Sequence, residues 1–283
     1  MNYTEIIKTC KKNKESFYTL LVSDLHIGSK GIDKKAIEAE FQEAKDKDAN
    51  ILINGDIGEF ILPKDNKRYS AGGDKYGTDN HINKTIDEIL EFLTPYKDNI
   101  RLIGMGNHET SVLKYNGFDP VQQVIYSLNR EGGNIDHGQY CGFVRFKYRK
   151  GESLKGGSQT EDLYYNHGQG GKAEISKGAI DLNRMMTSKD ASIYWIGHKH
   201  TKLVLPDERV VYADKKGNIK DKVKTGVVTG SYKRNGKSYN AIKKGYELSF
   251  GEENFRTNQS CGGVFLKHTI DLGGCKIIRN WII

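Results

Sequence analysis

The chain has 283 residues, of which 36% are hydrophobic and 28% charged, and carries a formal net charge of +8 at pH 7. That length and balance suit a folded domain with a sizeable core and exclude a disordered chain. No apolar run approaches the roughly 18 residues that span a bilayer, and the stretch MNYTEIIKTCKKNKESFYTLLVSD lacks the apolar core and cleavage site of a secretory leader.

The expectation is therefore a soluble cytoplasmic protein with no membrane partner. Cys10, Cys141, Cys261 and Cys275 are scattered without a CxxC pair, which argues against a zinc ribbon and fits free thiols in a reducing compartment. The basic excess favours a polyanionic partner, although lysine-rich solvated surfaces are common. Only four prolines occur and no Pro/Ser/Gly-rich linker divides the chain, so residues 1–283 read as a single domain.

FYTLLVSD (17–24) is short, apolar and β-rich, as a fully buried strand is. KKAIEAEFQEAK then sets Ile37, Phe41 and Ala44 on one helical face. ANILINGD is a second buried strand, and the polar, glycine-bearing residues 62–80 read as a long loop. Helical spacing returns with Ile82, Ile86, Ile89, Leu90 and Leu93, and NIRLIGMGNHE reads as a third strand running into a loop. A helix follows on Val121, Val124, Ile125 and Leu128. This alternation implies right-handed crossovers and parallel strands. The second half is strand-rich: YCGFVRFKY, EDLYYN, ASIYWI, ERVVYA, TGVVTG, GGVFLKHTI and KIIRNWII, interrupted by one helix near 176–187. Two packed sheets flanked by helices result.

Several apolar strands end in residue types that can bind metal. FYTLLVS leads to Asp24-Leu25-His26, NILIN to Gly55-Asp56, RLIGM to Gly106-Asn107-His108-Glu109, DLYYN to His167-Gly168, and SIYWI to Gly197-His198-Lys199-His200. Five of the eight histidines thus sit at strand ends, where open α/β sheets place their ligands. Imidazole, carboxylate and amide oxygen without thiolate suit a divalent ion and disfavour a structural zinc site. If the segments are extended, strand alternation puts Asp24 with His26, and His198 with His200, on a common side. The glycines at 55, 106 and 197 fit turns where backbone comes close to an ion or substrate.

The ordered set DLH, GD, GNHE, a lone His and GHKH, from residue 24 to residue 200, resembles the calcineurin-like metallophosphoesterase superfamily. The resemblance implies a four-layer α/β/β/α sandwich with two mixed sheets. It also implies two divalent ions, Mn²⁺ first, with Zn²⁺, Fe²⁺ or Ni²⁺ as alternatives. Asp24, His26 and His200 would hold one ion, Asn107, His167 and His198 the other, and Asp56 would bridge them. His108 would face the substrate as a catalytic residue, protonating the leaving alkoxide or helping to stabilise the transition state. Glu59 stands where the family often has Asp, and Glu59 and Glu109 are read as helpers that orient ligands or begin a helix. Lys199 is expected to point away from the ions. The arginines that phosphoprotein phosphatases carry after these motifs are missing from GDIGEF and GNHETS.

The implied activity is metal-dependent hydrolysis of phosphodiester bonds, with nucleic acid as the first choice of substrate. Residues 230–260, beginning GSYKRNGKSYNAIKKGY, interleave Lys233, Arg234 and Lys237 with Tyr232 and Tyr239, a pattern that could hold phosphates and stack bases. The same stretch reads equally as a solvated loop with packed tyrosines. The loop at 62–80 could form the opposite lip. Two other readings stay open: an enzyme for a small nucleotide or other small phosphoester, and a non-catalytic binding module that keeps the fold.

Overall fold

A computed structural model describes residues 2–61, 80–151, 157–171, 175–233, 262–274 and 276–283. In chain order the elements are β1 (Asn2–Cys10), β2 (Glu15–Val22), α1 (Lys34–Asp46), β3 (Asn50–Ile53), α2 (His81–Leu93), β4 (Ile100–Gly104), α3 (Asn107–Asn116), α4 (Pro120–Arg130) and β5 (Asp136–Gln139). They continue with β6 (Cys141–Lys150), β7 (Ser158–Asn166), α5 (Ala179–Ser188), β8 (Ile193–Ile196), β9 (Leu203–Val204), β10 (Glu208–Ala213), β11 (Ile219–Val228), β12 (Val264–Asp271) and β13 (Lys276–Ile282).

Two mixed sheets form, as the sequence leads one to expect. One runs β13-β12-β2-β3-β4-β5; the other runs β1-β6-β7-β8-β11-β10, with β9 also on β11. Residue alternation along the central strands builds the layers. Leu20, Val22, Ile51, Ile53 and Ile103 face the helices and pack with Ile37 and Phe41 of α1, Ile86 and Ile89 of α2, and Val121, Val124 and Leu128 of α4. Their neighbours Leu21, Leu52 and Leu102 point the other way and meet Leu163, Tyr165, Ile193, Trp195 and Val227 of the second sheet. The opposite face of that sheet, with Tyr164, Tyr194, Ile196 and Val228, is covered by Leu182 and Met186 of α5. The order helices, sheet, sheet, helix is the four-layer arrangement.

Helix starts obey local chemistry. Asp33 accepts from the Ala36 amide at α1, and Asp119 accepts from Gln122 N ahead of Pro120 at α4. At the pole opposite the strand exits used below, Glu161 lies 2.7 Å from His268 Nε2 and 3.2 Å from Arg279 Nε, a buried ionic cluster tying β7 to β12 and β13. Among the described residues no helix is long and apolar enough to cross a membrane.

The structure departs from the sequence reading in three places. β1 and β5 were not expected, and the segment after RLIGM is not a loop, because α3 begins at Asn107. The polar loop expected at 62–80 lies, apart from residue 80, outside the described residues, as do 234–260 of the second substrate-facing stretch.

Candidate metal centre

β2, β3 and β4 are mutually parallel, as are β7, β8 and β11. Their carboxyl ends meet at one edge of the sandwich. The loops after β2 and β3 continue as a ladder, with Asp24 N donating to Gly55 O and His26 N to Asp56 O, both at 3.0 Å. The two sheets join here too: His167 Nδ1 lies 2.7 Å from Asn54 O, and His198 N donates to Asp24 Oδ2 at 2.9 Å.

Two groups of side chains could each hold a divalent ion: Asp24, His26 and His200, and Asp56, His167 and His198. Within the first, His200 Nε2 is 3.2 Å from Asp24 Oδ1 and 3.3 Å from His26 Nε2. Within the second, His167 Nε2 is 3.3 Å from Asp56 Oδ2. A third, overlapping group of His26, Asp56 and His108 lies between them. Asp24 Oδ1 and His167 Nε2 are buried without a hydrogen bond of good geometry, a costly arrangement unless a cation takes those atoms. The donor set, nitrogen and oxygen with no sulfur, fits ions such as manganese, iron or zinc. Asn107 occupies the first position of α3, half-buried, next to His108 N, which donates to Asp56 Oδ1 at 3.0 Å.

The way neighbouring ligands share a side differs from the expected strand alternation. Asp24 (φ 56°), His26 (48°), Asp56 (48°), His198 (61°) and His200 (54°) all adopt left-handed backbone. The loops are kinked, not extended, and each such residue stores strain of order 1–2 kcal/mol. Two of the glycines matter for a related reason. Gly55 has φ +75°, and a Cβ there would lie 2.5 Å from Gly106 N; a Cβ on Gly106 would collide with the Asp56 carboxylate. The close approach is between ligand loops, where the sequence reading had anticipated backbone against an ion or substrate.

The helper carboxylates are both buried. Glu109 accepts from Gly106 N (2.7 Å), Asp56 N (3.0 Å) and Gly58 N (3.3 Å), so it caps α3 and pins the Asp56 turn at once. Glu59 lies 3.2 Å from His108 Nδ1 and 3.5 Å from His26 Nδ1, and it also contacts Lys233 Nζ. The longer glutamate therefore reaches both rings. Ser23, which carried no signal in the sequence, donates to Asp24 Oδ2 and lies 2.7 Å from Thr229 Oγ1, itself bonded by Trp195 Nε1. Lys199 points away from the ligand groups toward Asp181.

Of the substrate candidates, Lys233 stands beside the site through Glu59. Tyr232 is a correction: it is fully buried with its hydroxyl on Glu40, so it offers no face for base stacking. Arg234, Lys237 and Tyr239 lie outside the described residues.

Electrostatics follow from this crowding. Burial opposes the charged forms of Asp24, Asp56 and Glu59, yet His200 and His167 hold Asp24 low, His108 and His167 hold Asp56 well below the usual carboxylate range, and Lys233 and His108 do so for Glu59. Burial and Lys233 push His26 down to about 3, leaving it neutral. Burial and Asp56 push Glu109 up to about 7. For His167 burial opposes the charge, but Asp56 and Asp24 outweigh it and raise the pKa to about 10. Near neutral pH a cation must displace that proton to reach Nε2. The apparent Mn²⁺ affinity of the second group is therefore expected to rise about tenfold per pH unit across roughly pH 6–8. Titration followed by electron paramagnetic resonance measures this, and a pH-independent affinity would remove His167 from the ligand set.

The chain matches no family model and no curated protein. Among solved structures it is similar to a metallophosphoesterase from Sphaerobacter thermophilus, with 13% identity over 95% of this chain and 89% of that chain and a TM-score of 0.36. It is also similar to a Vps29 single mutant from Entamoeba histolytica (12% identity, 94% and 100%, TM-score 0.30). A third is GAP50, the anchor in the inner membrane complex of Plasmodium (10% identity, 94% and 88%, TM-score 0.40). At identities and scores this low, any functional reading stands on the chain's own residues.

Proposed function

We propose that this chain is a calcineurin-like metallophosphoesterase of the cytosol that hydrolyses phosphodiester bonds in nucleic acid with two divalent ions, manganese first among them. The observation that carries the reading is the meeting of Asp24, His26 and His200 with Asp56, His167 and His198 at one edge of the sandwich, from strands far apart in sequence. When bound, the two ions supply Lewis-acid charge to a phosphoryl group and lower the pKa of water to roughly 7.

The chain's own residues supply the rest. His167 and His198 each give one ring nitrogen to a backbone carbonyl, Asn54 O and Gly170 O, which leaves the other nitrogen of each ring for the site. Glu59 fixes the His108 ring through Nδ1, so that Nε2 faces the centre and can give a proton to a departing alkoxide. Lys233 adds positive charge at the rim. The diester preference is supported by the missing phosphatase arginines, and the nucleic-acid preference by the net charge of +8.

The test is a substrate panel. Mn²⁺-loaded protein is incubated with bis-p-nitrophenyl phosphate, p-nitrophenyl phosphate, cyclic nucleotides, and single- and double-stranded DNA and RNA, each at rising salt. The expected result is diester turnover with little monoester turnover, and nucleic-acid cleavage whose KM climbs steeply with salt. Turnover confined to mononucleotides, with weak salt dependence, transfers the reading to a small phosphoester. Two bound ions with no turnover on any substrate would leave a binding module.

A further inference from the structure

We propose that Lys199 is a positioning residue for the second ion, acting through the loop that fixes His198; this rests on the two-ion reading above. Lys199 is 5% exposed, and burying an ammonium is expensive unless every donor is used. Here Nζ contacts Asp181 Oδ2 at 2.8 Å, Gln169 O at 2.7 Å and Gly171 O at 3.4 Å, which occupies its three N–H groups. Asp181 belongs to the first turn of α5. A lysine between two histidines has thus been turned away from the cations and spent on the loop after β7.

Among the described residues, few other contacts hold positions 169–171 of that loop. Gly168 and Gly170 take φ of +102° and +78°, so its backbone is intrinsically free. Asn166 Oδ1 accepts from Gly168 N, and Tyr140 OH donates to Gly168 O, but both pin residue 168. Lys199 alone, among the described contacts of the loop, grips the carbonyls on either side of residue 170. The carbonyl of Gly170 is the one that faces His198 Nε2, at 2.8 Å. Donation of Nε2–H to that oxygen fixes the tautomer and leaves the lone pair on Nδ1, the nitrogen that would serve the group His198 forms with Asp56 and His167. The path runs from α5 through Lys199 to the loop, and from the loop to one ring of one ligand group. Among the described contacts, neither Lys199 Nζ nor the Gly170 carbonyl bonds to the His26 ring of the other group.

The expected consequence is selective. In Lys199→Met, which keeps the aliphatic stem, the second Mn²⁺ should bind about 10–100-fold more weakly while the first binds as in wild type. Lys199→Arg, which can reach the same carbonyls, should recover most of the loss. Titration by electron paramagnetic resonance reads free Mn²⁺ and the exchange-coupled pair separately from turnover, and kcat at saturating Mn²⁺ should return toward the wild-type value. Asp181→Asn, on a half-exposed helix start, tests the other end of the clamp and carries the experiment if Lys199→Met does not fold. Equal weakening of both ions, or no weakening of either, overturns the proposal. Wild-type protein that binds fewer than two ions overturns the two-ion reading itself, so the two failures are distinguishable.

Discussion

Asp56→Asn is expected to lose both the coupled ion pair and turnover, with activity down by about 10³-fold or more. Asp56 is 1% exposed and belongs to two of the three groups that could hold an ion, whereas the other carboxylate in them, Asp24, belongs to one. Asparagine is the better replacement than alanine, because residue 56 has φ 48°, a conformation that asparagine tolerates and alanine does not. The informative part is stability. Without cations, His108 and His167 outweigh the cost of burial and hold the Asp56 carboxyl well below the usual range, while Asp56 in turn raises His167, so near neutral pH its charge stabilises the metal-free fold and deleting it leaves a buried imidazolium without its partner. Metal-free Asp56→Asn should therefore melt below metal-free wild type. Wild type should gain about 2.7 kcal/mol with Mn²⁺ at 100 times its dissociation constant, or a rise of about 4–5 °C for a chain of this size. The variant should gain almost none of it. Melting curves with and without Mn²⁺ decide the matter: an equal metal-dependent rise in both proteins would show that Asp56 is not a ligand.

Burial and site chemistry leave different marks in a sequence, and this explains which parts of the molecule could be read from it. The buried strands and amphipathic helices were legible because burial imposes a period. Leu20 and Val22 face helices while Leu21 faces the other sheet, and Ile37, Phe41 and Ala44 recur at helical spacing. β1 was not legible: NYTEIIKTC is an edge strand whose buried positions include Thr4, a residue that pattern reading counts as polar. β5, DHGQ, has no apolar residue to mark it. The start of α3 was hidden because its first residues, Asn107-His108-Glu109, are chosen for the site and not for helix periodicity.

The candidate site was legible in its ligand-type residues and opaque in their supports. Residue types at strand ends pointed to side chains that the fold brings together in groups able to hold an ion, but His198 and His200 fall in different groups, and strand alternation is not the geometry that turns them. Left-handed kinks at Asp24, His26, His198 and His200 do what alternation was expected to do. The partners that orient the ligands, Ser23 with Thr229, Glu59 with Lys233, and Lys199 with Asp181, are separated by up to 206 residues and leave no local pattern. Tyr232 shows the converse error. Its place among basic residues looked like a stacking surface, yet the fold uses it to anchor Glu40 of α1.

His108→Ala is expected to keep both ions and lose about 10²–10⁴ in turnover of a diester with an alkoxide leaving group. The geometry makes this a real question, because His108 also lies in a possible ligand group with His26 and Asp56. Its Nε2 is 4.0 Å from Asp56 Oδ2, whereas Nδ1 is 3.2 Å from Glu59 Oε1, a distance at which the ring is oriented by the glutamate. Burial opposes the charged ring, but Asp56 and Glu59 outweigh it and hold the His108 pKa above the usual imidazole value. A protonated ring suits a proton donor. Since bound cations push that pKa back down, activity that needs the proton should fall as pH rises through the His108 pKa, and the alanine variant should lack that alkaline limb. The leaving group supplies the sharper discrimination. p-Nitrophenolate departs without a proton, so the variant should lose far less activity on bis-p-nitrophenyl phosphate than on a dinucleotide diester. If His108 were a ligand instead, the variant would lose an ion in the Mn²⁺ titration and both substrates would slow by the same factor.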